Sequence, residues 1–166
     1  EIVPTSRHTY SGRRVTGIAG KKNFTVIFLE KSLMNAEIGF TYRVLAVFLK
    51  HGISFEHIPT GIDTMSFVVD SDLLKNGVLE EVCAEIEENV HPDNLRVITD
   101  IALIAVVGHG MAKSVGTSAR LFEAIARAGV NVRMIDQGSS ELNIIVGVDN
   151  ENYERTLKAV YEEFFD

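Results

Sequence analysis

Two short segments carry residue types suited to holding a small charged molecule: Ile38-Gly39-Phe40-Thr41 and Val115-Gly116-Thr117. In each, a β-rich run gives way to an amphipathic stretch, so the glycine falls at a helix N-terminus. The exposed amides of such a terminus can hold a carboxylate, and glycine lets a ligand approach the backbone closely. A ligand that also carries an ammonium needs an acidic or carbonyl partner. Glu37 and Glu56 are the nearest acids in sequence, and Asp63 joins them as a candidate for a second cationic group. A free amino acid presents these charges at a fixed separation.

The same residues have plainer readings. Gly39 and Gly116 also suit a tight strand–helix turn, Phe40 and Phe55 also suit a core, and Glu56 also suits a solvated strand. His51, His57, His91 and His109 lack metal-ligand spacing, so no metal site is expected. Cys83 shares an apolar face with Val78, Val82 and Ile86 and reads as a buried small hydrophobe. The acidic stretch 80–88 reads as a solvated helix face. No residue is expected to be catalytic.

The elements that position these segments come from an internal repeat. Sliding the chain against itself by 77 residues places Met34 on Met111, Gly39 on Gly116, Arg43 on Arg120, Gly52 on Gly129, Ile58 on Ile135, Gly61 on Gly138 and Asp72 on Asp149. The expected alignment needs no gap, and hydrophobicity follows it. Each copy begins with a strand, 24–29 (FTVIFL) or 101–106 (IALIAV). An amphipathic helix follows, over 39–51 or 116–128, and stops at Gly52 or Gly129, where glycine accepts the left-handed conformation. A second strand (53–59; 130–136) turns at Gly61 or Gly138 into a third (65–69; 142–146). A second helix is expected over 72–89 and 149–165, each capped by its aspartate.

The first copy ends in a fourth strand, 95–99. The second copy would need its own near positions 172–176, beyond the 166 residues of the chain. A missing edge strand would leave ladder groups exposed, and the unassigned segment 14–19 (RVTGIA) is strand-like. The expectation is that it pairs into the second module, so that the first is inserted within the second. The class is α+β, with two ferredoxin-like βαββαβ modules over 20–100 and over 13–19 plus 101–166. Residues 1–12 read as a linker from something upstream.

A duplicated βαββαβ unit with glycine at the first strand–helix junction resembles the ACT domain. Segment 15–19 (VTGIA) resembles the stretch that follows the catalytic domain in aspartokinases. Segments 32–40 (SLMNAEIGF) and 51–63 (HGISFEHIPTGID) resemble the first ACT module of lysine-sensitive members, and 129–141 (GVNVRMIDQGSSE) the widely shared second-module motif. The resemblance implies an effector pocket drawing on Met34, Glu37, Ile38, Gly39, Phe40, Thr41, Phe55, Glu56, Gly61 and Ile62. The best-known lysine-sensitive pattern carries Ser in place of Glu37, Asp in place of Glu56 and Ser-Glu in place of Gly61-Ile62. In the second module it implies roles for Val115, Gly116, Thr117, Asn131, Gln137, Ser139, Ser140 and Glu141, toward a ligand or toward the other module. The implied function is allosteric feedback inhibition by lysine, threonine or both, through a homodimer joined by ACT modules. The implied parent enzyme phosphorylates the aspartate side chain with ATP and Mg in a kinase domain. The Lys-rich, Gly-rich entry motif of that domain does not occur here, so the chain looks like a C-terminal regulatory portion, inactive and without a cofactor of its own.

Composition bounds the alternatives. A net charge of -7 argues against a nucleic-acid partner, and the third strands lack the exposed aromatic pair that RNA recognition on this fold needs. An acylphosphatase-like hydrolase would need a phosphate loop with arginine, which 32–37 does not offer. The regulatory part of another amino-acid enzyme, or a stand-alone ACT sensor, stays open. No apolar run reaches the roughly 20 residues of a membrane span. With 46% hydrophobic residues and one cysteine, a cytoplasmic globular protein is expected.

Overall fold

Alternating apolar residues in two of the longest β-rich runs build the centre of the molecule. The computed structural model describes residues 14–165, so the linker expected over 1–12 lies outside the described residues. Its elements are β1 (Gly17–Glu30), α1 (Phe40–Lys50), β2 (Thr64–Asp70), α2 (Val78–Val90), β3 (Asn94–Val107), α3 (Thr117–Arg127), β4 (Met134–Asp136), β5 (Asn143–Asp149) and α4 (Tyr153–Phe165). The strands form one antiparallel sheet in the order β2-β1-β3-β5-β4.

β1 and β3 each serve two modules. The second half of β1 pairs with β2 and with the start of β3, as in Leu29 opposite Leu95. The first half of β1 pairs instead with the end of β3, Gly17 opposite Val107 through Lys21 opposite Leu103. The N-terminal strand therefore completes the second unit, and the first ferredoxin-like unit is inserted within it. At the crossover the register shifts, and Asn23 and Asp100, 77 residues apart, take left-handed φ of 68° and 59°. Asn and Asp tolerate that region better than other side chains, so the strands bend there without breaking.

Period-two alternation sorts each strand's side chains between two faces. Ile27, Leu29, Phe67 and Val69 pack against Phe40, Val44, Phe48, Val82 and Ile86 of α1 and α2. Ala102, Ile104, Val106, Ile144 and Val146 pack against Leu121, Ile125 and Val160 of α3 and α4, with Val15 closing the edge. The faces that the helices leave bare meet in a third cluster of Phe24, Val26, Val68, Ile101 and Leu103, which joins the modules.

Four expectations are corrected. The repeat is not gap-free: β2 and β5 are related by 79 residues and α2 and α4 by 75, while β1/β3 and α1/α3 keep 77. The turn before β5 is two residues longer than its counterpart, and the approach to α2 is four longer than that to α4. Asp72 and Asp149 therefore cap neither long helix. Asp70 accepts from the Asp72 N–H at 3.0 Å at a short 3-10 turn, Asp149 pairs with Arg133 at 2.7 Å, and α2 begins after Gly77. The strand expected over 53–59 is reduced to bridges at His57–Val68 and Thr60–Met65. Glu56 and His57 both bond to Val68, a bulge, and Pro59 has no N–H to return to the strand it borders. Cys83 is half-buried rather than in the core, and burial pushes its thiol up to about 11, with Glu87 and Glu80 adding to the effect.

Each helix pair is clamped by one carboxylate. Glu85 takes Lys50 at 2.8 Å and His51 at 2.9 Å, and Glu163 takes Arg120 at 2.7 Å and Arg127 at 2.5 Å. Lys50 and then His51 hold Glu85 below its ordinary 4.5, and Arg120 and then Arg127 do the same for Glu163. A lowered folded pKa stabilises above the unfolded value and is lost as pH falls through the folded one. Thermal melts should therefore hold steady from neutral pH down to about 4.5 and fall progressively below it. A midpoint unchanged well into the acid range would contradict these clamps.

Candidate functional site

Helix α1 begins where the chain leaves β1 through a 3-10 turn, Met34–Ala36. Gly39 stands just ahead of it with φ +81°, and Gly116 holds the equivalent place before α3 with φ +90°. The first amides of a helix have no carbonyl of their own to bond. At α1 the Phe40 N–H bonds the Glu37 carbonyl at 3.2 Å and Arg43 is the first to reach back to Gly39. The N–H groups of Thr41 and Tyr42 have no backbone carbonyl partner among the described residues.

A pocket of about 320 Å³ opens at this point, lined by Met34, Glu37, Gly39, Phe40, Thr41 and Gly61, with Asn35, Tyr42, Thr60 and Met65. Six of the ten expected effector residues thus come together. The other four do not. Ile38 and Ile62 project into solvent, 97% and 77% exposed. Phe55 packs against the core rings of Phe48 and Phe67, centroids 6.2 and 6.0 Å away, and Glu56 lines a cleft between the modules.

Glu37 is the one charged lining residue of this pocket among the described residues, and two cations hold it. Glu37 bonds Lys31 at 2.6 Å and also Arg43. Lys31, then Arg43, holds its carboxyl below the ordinary 4.5. Lys31 in turn lies over the Phe40 ring at 5.4 Å and donates to the Val90 carbonyl. Helix-start amides and one carboxylate, itself held by two cations, can take a zwitterion, with the amides on its carboxylate and Glu37 shared with its ammonium. Tyr42, Lys31 and Arg43 were missed from the sequence. Arg43 recurs as Arg120, and Tyr42 follows Thr41 in the first turn, so the repeat and helix geometry carried the signal.

Conformation, not space, protects Gly39: an added Cβ would meet only the Arg43 Nη1, at 3.8 Å. Gly39→Ala should cost about 1–2 kcal/mol from the left-handed backbone alone. Urea denaturation measures this, and an unchanged midpoint would deny the positive φ.

The second-module residues are arranged differently. Val115 is exposed, and its carbonyl accepts from Arg14 at 3.2 Å, while Thr117 is buried beside Ser114. Gln137, Ser139 and Ser140 sit on the exposed turn before β5, and Asn131 is exposed ahead of β4. Glu141 reaches the segment ahead of α3, where it accepts from the Lys113 N–H. Among the described residues no group of three or more His, Cys, Asp or Glu could hold a metal ion, and no helix is long and apolar enough to cross a membrane.

Comparisons with known proteins agree with this architecture. A family model of the ACT domain matches residues 104–164. Aspartokinase 3 of Bacillus subtilis is 41% identical over 151 residues, covering 91% of this chain and 33% of that protein. The crystal structure of Clostridium acetobutylicum aspartate kinase superposes with a TM-score of 0.87 at 45% identity, covering 90% of this chain and 34% of that one. The regulatory subunit of aspartate kinase from Thermus flavus superposes at 0.76 and 26% identity, covering 90% and 98%. The chain spans about a third of the length of the curated aspartokinase it matches. With its two interlaced modules matched along nearly their whole length, the chain belongs to the aspartokinase family, as a tandem ACT-domain regulatory region.

Proposed function

We propose that the pocket at the start of α1 binds a free amino acid, lysine, threonine or both, and that binding exerts feedback inhibition on an aspartate kinase. The observation that carries this reading is the meeting of free helix amides with Glu37 in one cavity of amino-acid size. Lysine is the first candidate because Escherichia coli aspartokinase III, 25% identical with a TM-score of 0.74, was solved in complex with lysine and aspartate. The parent enzyme transfers phosphate from ATP to the aspartate side chain, with ATP and Mg held in its kinase domain. We take 20–100 as module one and 13–19 with 101–166 as module two, and place the protein in the cytoplasm.

The working unit is a homodimer. Tyr42 and Leu49 on the outer face of α1 are 75% and 82% exposed, and Ile38 and Ile62 extend that apolar surface beside the pocket. Two copies joined through this surface would exclude water from the ligand. A ligand that prefers one dimer arrangement shifts the population toward it, and only such a preference produces coupling. Calorimetric titration with lysine, threonine and methionine tests the reading. Saturable heat is expected for lysine or threonine and should be lost in Glu37→Ala. Absence of heat from all three would remove the proposal.

A further inference from the structure

The duplication creates two equivalent clefts at the joint between the modules, and their chemistry has diverged. Each is floored by the bare sheet face of one module and walled by the second-strand segment of the other. The first, about 280 Å³, has apolar walls including Phe28, Ile98 and Met134, and among the described residues its only charged lining groups are Arg96 and Arg133. In the second, about 400 Å³, the places 77 residues away hold Ala105 for Phe28, Ala19 for Arg96, Glu56 for Arg133 and His57 for Met134.

Two of the three polar lining side chains of the second cleft, Lys21 and His57, have carboxylate partners within the protein, and the third, Glu56, is itself an acid. Lys21 pairs with Asp70 at 2.5 Å, and His57 with Asp136 at 2.8 Å. In the first cleft Arg133 pairs with Asp149 at 2.7 Å. Arg96 lies over its cross-strand partner Phe28, 4.6 Å from the ring centroid, and has no carboxylate partner among the described residues. A guanidinium stacked on a ring keeps its N–H fork free at the edges, the geometry that receives a carboxylate in bidentate fashion. In a chain of net charge -7, the cleft is an isolated cationic spot with apolar walls.

We propose that this cleft binds a small organic anion with an apolar body, its carboxylate on Arg96 beside Arg133 and its apolar part against Ile98 and Met134. The site differs in kind from the α1 pocket, since no acid among the described residues lines it to receive an ammonium, and it stands independently of the feedback reading. Phenylacetate is the probe, added to the nitrogen-labelled chain and followed by amide NMR shifts. Saturable shifts at Ser66, Ile98 and Met134 are expected, with phenylacetamide and the Arg96→Gln variant each binding about tenfold more weakly and Arg96→Lys keeping part of the affinity. The dispersion of the variant spectra shows that each remains folded. No saturation by about 10 mM, equal binding of acid and amide, or shifts centred on Gly39 and Thr41 would each overturn the proposal, leaving Arg96 and Phe28 as a plain cross-strand pair.

Discussion

Phe67→Ala is expected to unfold both modules together, in one transition, at a cost of about 3–5 kcal/mol. Phe67 is fully buried in the first core and stacks on Phe48 with ring centroids 4.6 Å apart. Truncation removes the ring's transfer energy and leaves a cavity that β2 and α1, held on both sides, cannot close. The single transition follows from the strands. Both cores are built on β1 and β3, so neither module can release its half of a shared strand without disturbing the other. Differential scanning calorimetry reads both parts, with a midpoint lowered by about 10 °C. Two separated transitions, with the second module surviving, would show that the lacing does not couple the cores.

Gly108→Ala is expected to detach the N-terminal strand from the second module and to cost at least about 2 kcal/mol. The backbone at Gly108 is extended, so the penalty is steric. An added Cβ would stand 2.2 Å from the Arg14 carbonyl oxygen and 2.9 Å from the Val15 Cα, and backbone cannot rotate away as a side chain can. The segment would have to lift, breaking the 2.8 Å bond from the Thr16 N–H to the Val107 carbonyl and exposing Val15, now 2% exposed. Gly138→Ala supplies the control, because its Cβ would meet nothing within 4 Å, and its effect should stay within about 0.5 kcal/mol. Hydrogen exchange at Thr16 and Gly17 should accelerate in the first variant and not in the second. Equal stability of the two would mean that the opening strand lies elsewhere.

Much of the site was legible because its residues are local. Met34, Glu37, Gly39, Phe40 and Thr41 fall within eight positions, and a strand–turn–helix junction brings such neighbours together whatever surrounds it. Phe55 and Glu56 misled for the opposite reason. They lie five or six residues before Gly61 on a nearly extended segment, which at about 3.3 Å per residue carries them well away from the pocket. There Phe55 joins the core rings, while Glu56 turns to the other face beside the bulge opposite Val68.

From the sequence alone came the duplication, the order of strands and helices apart from the strand expected over 53–59, the glycines in left-handed turns and the need for 14–19 to complete the second half. These rest on periodicity, on local backbone preference and on the rule that a buried sheet edge must find a partner. Only the tertiary structure decided that β1 and β3 run through both halves, that the bare faces close into a third core, and that Arg96 has no acid to pair with among the described residues. Such outcomes depend on which residues far apart in the chain become neighbours, and one-dimensional patterning fixes which face a side chain takes without fixing what that face will meet.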